Sequence, residues 1–286
     1  MTRVATPGDL RVAFVGAGPG EADLITLRGA QRLQNADVVL FDSLADPALR
    51  QLAPNARWID VGKRGFTGVA HAPRGGRENT GQDTINALLV KHALSGAKVV
   101  RLKGGDPSVF GRLEEELEAL AAAGIECEVV PGVTAALAAA AATQRPLTRR
   151  GTGRSVALTT AMTKTGELTA GRHADTESFY MAGKHLAALS RRLAAAGWPA
   201  GTPALVVSRA GWPDQIASEH SVASLGDATV LHSGRPTVVT VGVGASAVGT
   251  PGKHGDPGRT AHPTATGTAT AAVSSGAHAS AGTSTP

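Results

Sequence analysis

A chain of 286 residues with one cysteine, one tyrosine and five phenylalanines is short of several things at once. The lone Cys127 excludes an intramolecular disulfide and a thiolate metal cluster. Its setting, Ile125-Glu126-Cys127-Glu128-Val129-Val130, reads as a thiol on a strand, with a reactive thiol as the other reading. Aromatic residues make up 3% of the chain, too few for the stacking platforms on which nucleic-acid bases lie. No run of roughly 18 uncharged apolar residues occurs, and residues 1–10 lack the apolar core of a leader, so the expectation is a cytoplasmic protein without a membrane partner. No Lys/Arg block forms an arm either. With a net charge of +5 and a pI near 9.8, the favoured partner is a small polyanion rather than nucleic acid.

What is present is an alternation of short apolar runs and amphipathic stretches. Strands are expected at 12–15, 38–41, 58–61, 98–102 and 127–130, in a βα repeat that implies a mostly parallel sheet. Asp46-Pro47 reads as a helix cap followed by proline at the first helical position, and Gly124 as a helix stop. After an Arg-rich segment come strand candidates at 156–159, 178–181, 204–208 and 238–241, with a helix over 184–196. The fold class is therefore α/β, with two α/β domains and an inter-domain cleft as the ligand site. The expected division is an N-terminal domain at 1–143, a linker at 144–154, a C-terminal domain at 155–246 and a disordered tail at 247–286. Val273 is the one large aliphatic residue after Pro251, so the tail has little apolar surface to offset its ordering entropy. Its histidines, His254, His262 and His278, are irregularly spaced, and no metal site is expected.

Two glycine-rich loops follow strand candidates. Gly16-Ala17-Gly18-Pro19-Gly20-Glu21 approaches a dinucleotide fingerprint, but Glu21 stands where the third glycine is needed and would face a pyrophosphate with like charge. Asp37 and Asp42 lie near the distance of a ribose-binding acid, which leaves an oxidoreductase as an alternative. In Leu102-Lys103-Gly104-Gly105-Asp106-Pro107, the missing Cβ atoms allow a ligand against the backbone, and close packing is the other use of such glycines.

Taken in order, Gly16–Leu27, Gly62-Lys63-Arg64, Leu102–Pro107, Val109-Phe110-Gly111-Arg112, Val130–Ala135 and Phe179-Tyr180-Met181 resemble the uroporphyrinogen-III C-methyltransferases of the tetrapyrrole methylase family. The likeness runs from about residue 11 to 244. It implies two methyl transfers from S-adenosyl-L-methionine to uroporphyrinogen III, through precorrin-1 to precorrin-2, on the route to sirohaem or cobalamin, in a homodimer. It also implies a donor site at Pro19, Gly104, Gly105, Asp106, Val109, Thr134, Ala135, Met181, Ala210 and Thr237. For the tetrapyrrole it implies contacts from Leu44, Lys63, Arg64, Phe110, Arg149 and Arg150, with catalytic roles for Asp42, Arg112 and Tyr180. Arginine suits a carboxylate-rimmed acceptor because its planar fork matches carboxylates; Lys184 is a further cation. Asp42 can stabilise a cationic pyrrole or take its proton, or simply cap a turn. Thr134 can serve the site or a helix start, Met181 the site or the core, and each cation the acceptor or solvent.

The chain departs from the family pattern at Leu113-Glu114-Glu115-Glu116, where two glycines usually precede the glutamates, and at Thr148-Arg149-Arg150 in the linker. Ser108 and Ala161-Met162-Thr163 also differ, and the Gly/Arg/Pro-rich stretch 66–81 is long, as a lid or a surface excursion. No room remains for a dehydrogenase and ferrochelatase module, so a monofunctional methylase is expected. An RNA methylase or RNA-binding protein on the same scaffold is the remaining alternative, suggested by the pI and the Arg-rich linker.

Overall fold

The computed structural model of the chain describes residues 10–62, 81–161, 168 and 170–249. Lys63 and Arg64, nearly all of the long stretch 66–81, Met162, Thr163 and the chain from 250 onward lie outside the described residues. By its contacts the chain divides into Met1–Thr250 and Pro251–Pro286, and both sheets belong to the first unit.

The first sheet holds β1 (Val12–Gly16), β2 (Val38–Phe41), β3 (Arg57–Asp60), β4 (Val99–Lys103) and β5 (Cys127–Val130), all parallel, in the order β3-β2-β4-β1-β5. Alternate side chains serve opposite faces, as strand geometry requires. Val12, Phe14, Leu40 and Val99 pack with Ile85 and Leu89 of α2 (Gln82–Leu94) and Leu120 of α3 (Leu113–Ala122). Ala13, Val15, Val39, Val100 and Leu102 pack with Leu33 of α1 (Leu27–Gln34) and with Leu49 of a 3₁₀ turn, Pro47–Leu52. Asp46 caps that turn through Ala48 N–H at 2.9 Å with Pro47 at its start, and Gly124 has the positive φ (69°) of a helix stop, as read from sequence. From β2 the chain runs outward to β3, whereas from β4 it runs the other way to β5. Parallel sheets open a crevice at such a divergence, which here lies between the loops that start at Asp42 and at Gly104.

The second sheet comprises β6 (Val156–Thr160), β7 (Thr176–Tyr180), β8 (Pro203–Ser208), β9 (Ile216–Ser221) and β10 (Thr237–Gly242), in the order β6-β7-β10-β8-β9. Only β6 and β7 run parallel; the other pairs are antiparallel. One face is covered by Leu186, Leu189 and Leu193 of α5 (Leu186–Ala195). The other receives Ala138 and Ala139 of α4 (Ala135–Ala142), which touch Leu205, Val207 and Ala210. A helix of small side chains from the first half thus forms a layer of the second. Strand boundaries read from sequence coincide at β2 and β5 and shift by one or two residues in the other strands anticipated. The edge strand β9 was not anticipated, because Ile-Ala-Ser-Glu-His-Ser offers a single large apolar residue.

Backbone-to-backbone contact holds the site loops together. A Cβ on Gly132 would lie 2.3 Å from the Gly105 carbonyl oxygen, one on Gly16 2.6 Å from Gly132 Cα, and one on Gly20 2.0 Å from the Gly211 carbonyl oxygen. We predict that Gly132→Ala and Gly20→Ala each cost about 3 kcal/mol or more, because the clash is with main chain that cannot yield. Gly201→Ala, with nothing within 4 Å of the added methyl, should be neutral or up to about 1 kcal/mol stabilising; urea unfolding of the three variants checks both expectations.

Candidate active site

Four loops at the carboxyl ends of β1, β2, β4 and β5 meet two from the second sheet. After β1, Gly18 and Gly105 exchange backbone hydrogen bonds: Gly105 N–H donates to Gly18 O at 2.7 Å and Gly18 N–H to Gly105 O at 3.3 Å. Pro19 O accepts from Trp212 Nε1 at 2.9 Å, and Glu21 N–H donates to Gly211 O at 2.6 Å. Trp212 thus ties the first loop to the turn after β8. Directly behind the glycines stands only a single 3₁₀ turn, Ala22–Leu24, and α1 starts at Leu27, capped by Thr26, so no α-helix N-terminus follows the loop at once as a pyrophosphate site needs. Asp37 sits before β2, accepting from Lys98 N–H at 2.7 Å, at the opposite end of the sheet from these loops.

The glycines after β4 act differently from one another. Gly104 makes room for Leu44, whose Cβ would be 2.8 Å from an added methyl, whereas Gly105 has φ 70° and little within 4 Å on its Cβ side. The carboxylate of Asp106 binds the loop itself, accepting from Ser108 N–H at 2.7 Å and Gly132 N–H at 2.9 Å. What Asp106 can offer a donor is therefore its backbone. Farther along, Phe110 (φ 53°) and Arg112 (φ 56°) both hold the left-handed conformation around Gly111. An added methyl at Gly111 would strike Pro107 O at 2.6 Å, so the turn cannot relax by moving inward. Its strain presents Phe110, 42% exposed, against the Tyr180 ring with centroids 5.0 Å apart.

Tyr180 ends β7 with its hydroxyl 2.8 Å from Thr134 Oγ1, and it accepts from Ala136 N–H at 3.3 Å. Thr134 occupies the cap position of α4 without capping it; Tyr180 supplies that acceptor from the other sheet. Burial pushes the phenol above its usual range, against the lowering effect of its bonds to Thr134 and Ala136. Val109, Ala135 and Val238 pack around it. Next in the chain, Met181 has φ 60° and is 38% exposed, a surface position rather than a core one. Ala210 is buried against α4, and Thr237 is buried with its hydroxyl donating to Arg235 O at 2.8 Å.

The proposed cations are placed less uniformly. Arg112 forks onto Glu115 at 2.7 and 2.5 Å, both side chains nearly half exposed. Arg149 donates to Ser246 O at 2.6 Å while its Nε is buried with no partner, and Arg150 is exposed. Asp42, at the mouth of the crevice, accepts from Arg101 Nη2 at 2.6 Å.

Sequence reasoning passed over two networks. Arg101, Lys103 and Glu116 are all buried: Arg101 Nε meets Glu116 Oε1 at 2.9 Å and Lys103 Nζ meets Glu116 Oε2 at 2.5 Å. The available signal was a pair of cations at alternating positions in an otherwise apolar strand, which places both on one face. Burial, then the charge of Arg101, lowers the Lys103 ammonium against the pull of Glu116. The Arg101 guanidinium ends up raised, because Asp42 and Glu116 outweigh the effect of its burial. In the second network Ser208 Oγ lies 2.9 Å from Thr237 Oγ1 and 2.5 Å from His232 Nδ1, and His232 Nε2 lies 2.8 Å from Ser218 Oγ.

The fold is that of a known class. The chain belongs to the tetrapyrrole (corrin/porphyrin) methylases, whose family model matches residues 11–226. It is 40% identical over 237 residues to the uroporphyrinogen-III C-methyltransferase of Pseudomonas aeruginosa, covering 81% of this chain and 93% of that one. It is 41% identical over 237 residues to a sirohaem synthase of Neisseria meningitidis, of which it spans 47%. Among solved structures it is similar to uroporphyrin-III C-methyl transferase from Thermus thermophilus complexed with S-adenosylhomocysteine, with a TM-score of 0.69 and 33% identity over 82% of this chain and 98% of that one.

Two predictions arise from the hydroxyl and imidazole contacts. Tyr180→Phe leaves Ala136 N–H and the Thr134 hydroxyl without their partner and should cost about 1–3 kcal/mol; in urea unfolding, Tyr180→Phe with Thr134→Val should lose less than the sum of the two single changes. His232 is drawn down from 6.5 to about 4, by burial first and then by His220 and Arg235. Between those values the unfolded chain binds the extra proton, so stability falls as the medium is acidified through that window, by at most roughly 3 kcal/mol. Urea midpoints measured at about pH 7 and about pH 4.5 should fall less steeply in His232→Gln than in the unaltered protein.

Proposed function

We propose that this chain transfers two methyl groups from S-adenosyl-L-methionine to ring carbons of uroporphyrinogen III, by way of precorrin-1 to precorrin-2, in the supply of sirohaem or cobalamin. The observation that carries this reading is the set of groups that the loop ends present: Asp42, part-exposed and held by Arg101, and three partly exposed large apolar side chains, Leu44, Phe110 and Met181, of which Phe110 lies against the ring of Tyr180, the residue before Met181. Such groups suit a pyrrole macrocycle whose body is apolar inside a rim of carboxylates and which becomes cationic as it reacts. In each transfer a pyrrole carbon takes the methyl, the carbon–sulfur electron pair stays on sulfur, and the ring later loses a proton. The residues' work is alignment, exclusion of water and charge stabilisation rather than strong base catalysis.

For the donor we assign Pro19, the backbones of Gly104, Gly105 and Asp106, and Val109, Thr134, Ala135, Met181, Ala210 and Thr237. The close approach of their loops supports this, as do the open side of Gly105 and the outward turn of Met181. For the acceptor we assign Leu44, Phe110, Arg112, Arg149 and Arg150, with Lys63 and Arg64. Arg112 exchanges Glu115 for a substrate carboxylate in this reading. Tyr180 walls the ring through Phe110, and Asp42 faces the developing charge. We further infer a cytoplasmic homodimer that engages neither nucleic acid nor membrane, with the domain division given above. The lone cysteine, the absence of a basic arm and the general homodimeric habit of the family support that inference.

The test is anaerobic incubation of the purified protein with uroporphyrinogen III and labelled S-adenosylmethionine, followed by oxidation and mass analysis. Two added methyl groups per macrocycle are expected. Donor binding without any transfer overturns the assignment of the acceptor and leaves that of the donor.

A further inference from the structure

The buried charges between β4 and α3 form one connected array. Arg101 Nη2 holds Asp42, Nε holds Glu116, and Nη1 donates to Leu102 O at 3.0 Å and Leu40 O at 3.4 Å. The guanidinium is thereby fixed in position and plane. Glu116, fully buried, uses its other oxygen for Lys103 and receives a weak bond from Gln82 Nε2 at 3.4 Å. The Lys103 stem runs beneath the strained turn, its Cε 3.0 Å from where a Gly111 side chain would begin. One carboxylate on α3 therefore anchors both the group behind Asp42 and the support of the Phe110 turn.

Stability is a poor reason for this arrangement. Apolar replacements of buried ion arrays are often neutral or stabilising, since the desolvation of each charge is large. The array is instead open at one point: Arg101, Lys103 and Glu116 side chains are at most 3% exposed, whereas that of Asp42 is 29% exposed and stands at the crevice. We infer that Arg101 is a positioning residue that orients the Asp42 carboxylate toward the tetrapyrrole, with Glu116 as its anchor. This rests on the function proposed above. A fork is needed because two carboxylates must be bonded at once from fixed directions, which an ammonium on a flexible stem does not do.

The test is a double-mutant cycle. Arg101→Met, Asp42→Asn and the pair are assayed for kcat with uroporphyrinogen III and for S-adenosylhomocysteine binding by calorimetry. Arg101→Met should lower kcat by about 10-fold to 100-fold, the range of a small misplacement at a reacting centre, and leave S-adenosylhomocysteine affinity within about twofold. In the Asp42→Asn background the same change should cost less than about threefold, because the group it orients is already altered. Arg101→Lys, which keeps the charge and guards against a folding failure of the methionine variant, should lose most of the activity as well. Losses that multiply across the cycle, a parallel loss of S-adenosylhomocysteine binding, or full activity in Arg101→Lys each overturn the inference. Methyl transfer by the unaltered protein keeps the functional reading in every one of those cases, whereas its absence removes that reading and the positioning role together.

Discussion

Contact between bare peptide groups governs this structure. Gly16, Gly105 and Gly132 come from three different strand ends and meet with no side chain between them, and Gly20 meets Gly211 across the two sheets. Each contact is closer than any Cβ permits. Because the loops after β1, β4 and β5 touch in this way, the Thr134 start of α4 is drawn to within 3.9 Å of the Gly105 Cβ direction, and Tyr180 can bond it from the second sheet. The loops after β1, β4 and β5 are thereby joined main chain to main chain beside the crevice between β2 and β4.

Several polar groups around these loops serve two partners each. Asp106 binds two loops with one carboxylate, Tyr180 caps a helix that lies outside its own sheet, and Glu116 holds two cations. Each such bridge removes a buried donor or acceptor that would otherwise stand unsatisfied, and each also links elements far apart in sequence. The alanine-rich α4 completes the joint. Its methyl groups let the helix lie close on β8, so that the two halves share a core instead of facing one another across solvent.

The parallel sheet was legible because buried parallel strands are short apolar runs: residues 12–15 and 38–41 meet that pattern, the first of them ending at Gly16. The loops that carry Pro19, Gly104 and Thr134 were legible for the same reason. What escaped reading is what depends on distant partners. Nothing local in Gly-Trp-Pro announces that the Trp212 ring will bond Pro19 O, and β9 shows an edge strand's polar surface. The glycines of the two loops were read as room for a ligand or for close packing; Gly16, Gly20 and Gly132 make room for other backbone, and Gly105 keeps an open side. Arg112 was read as serving the acceptor or solvent, and its fork rests on Glu115, three residues along the same helix end, with both side chains nearly half exposed.

Among the described residues, five that are not glycine carry positive φ, and four of them, Phe110, Arg112, Met181 and Arg209, stand at loops of the crevice and its rim. Each holds a conformation that disfavours its side chain by about 1 kcal/mol or more. Bulky and charged side chains thus stand where the backbone least accommodates them, and that cost, which does nothing for folding, falls at the rim of the crevice rather than in the core.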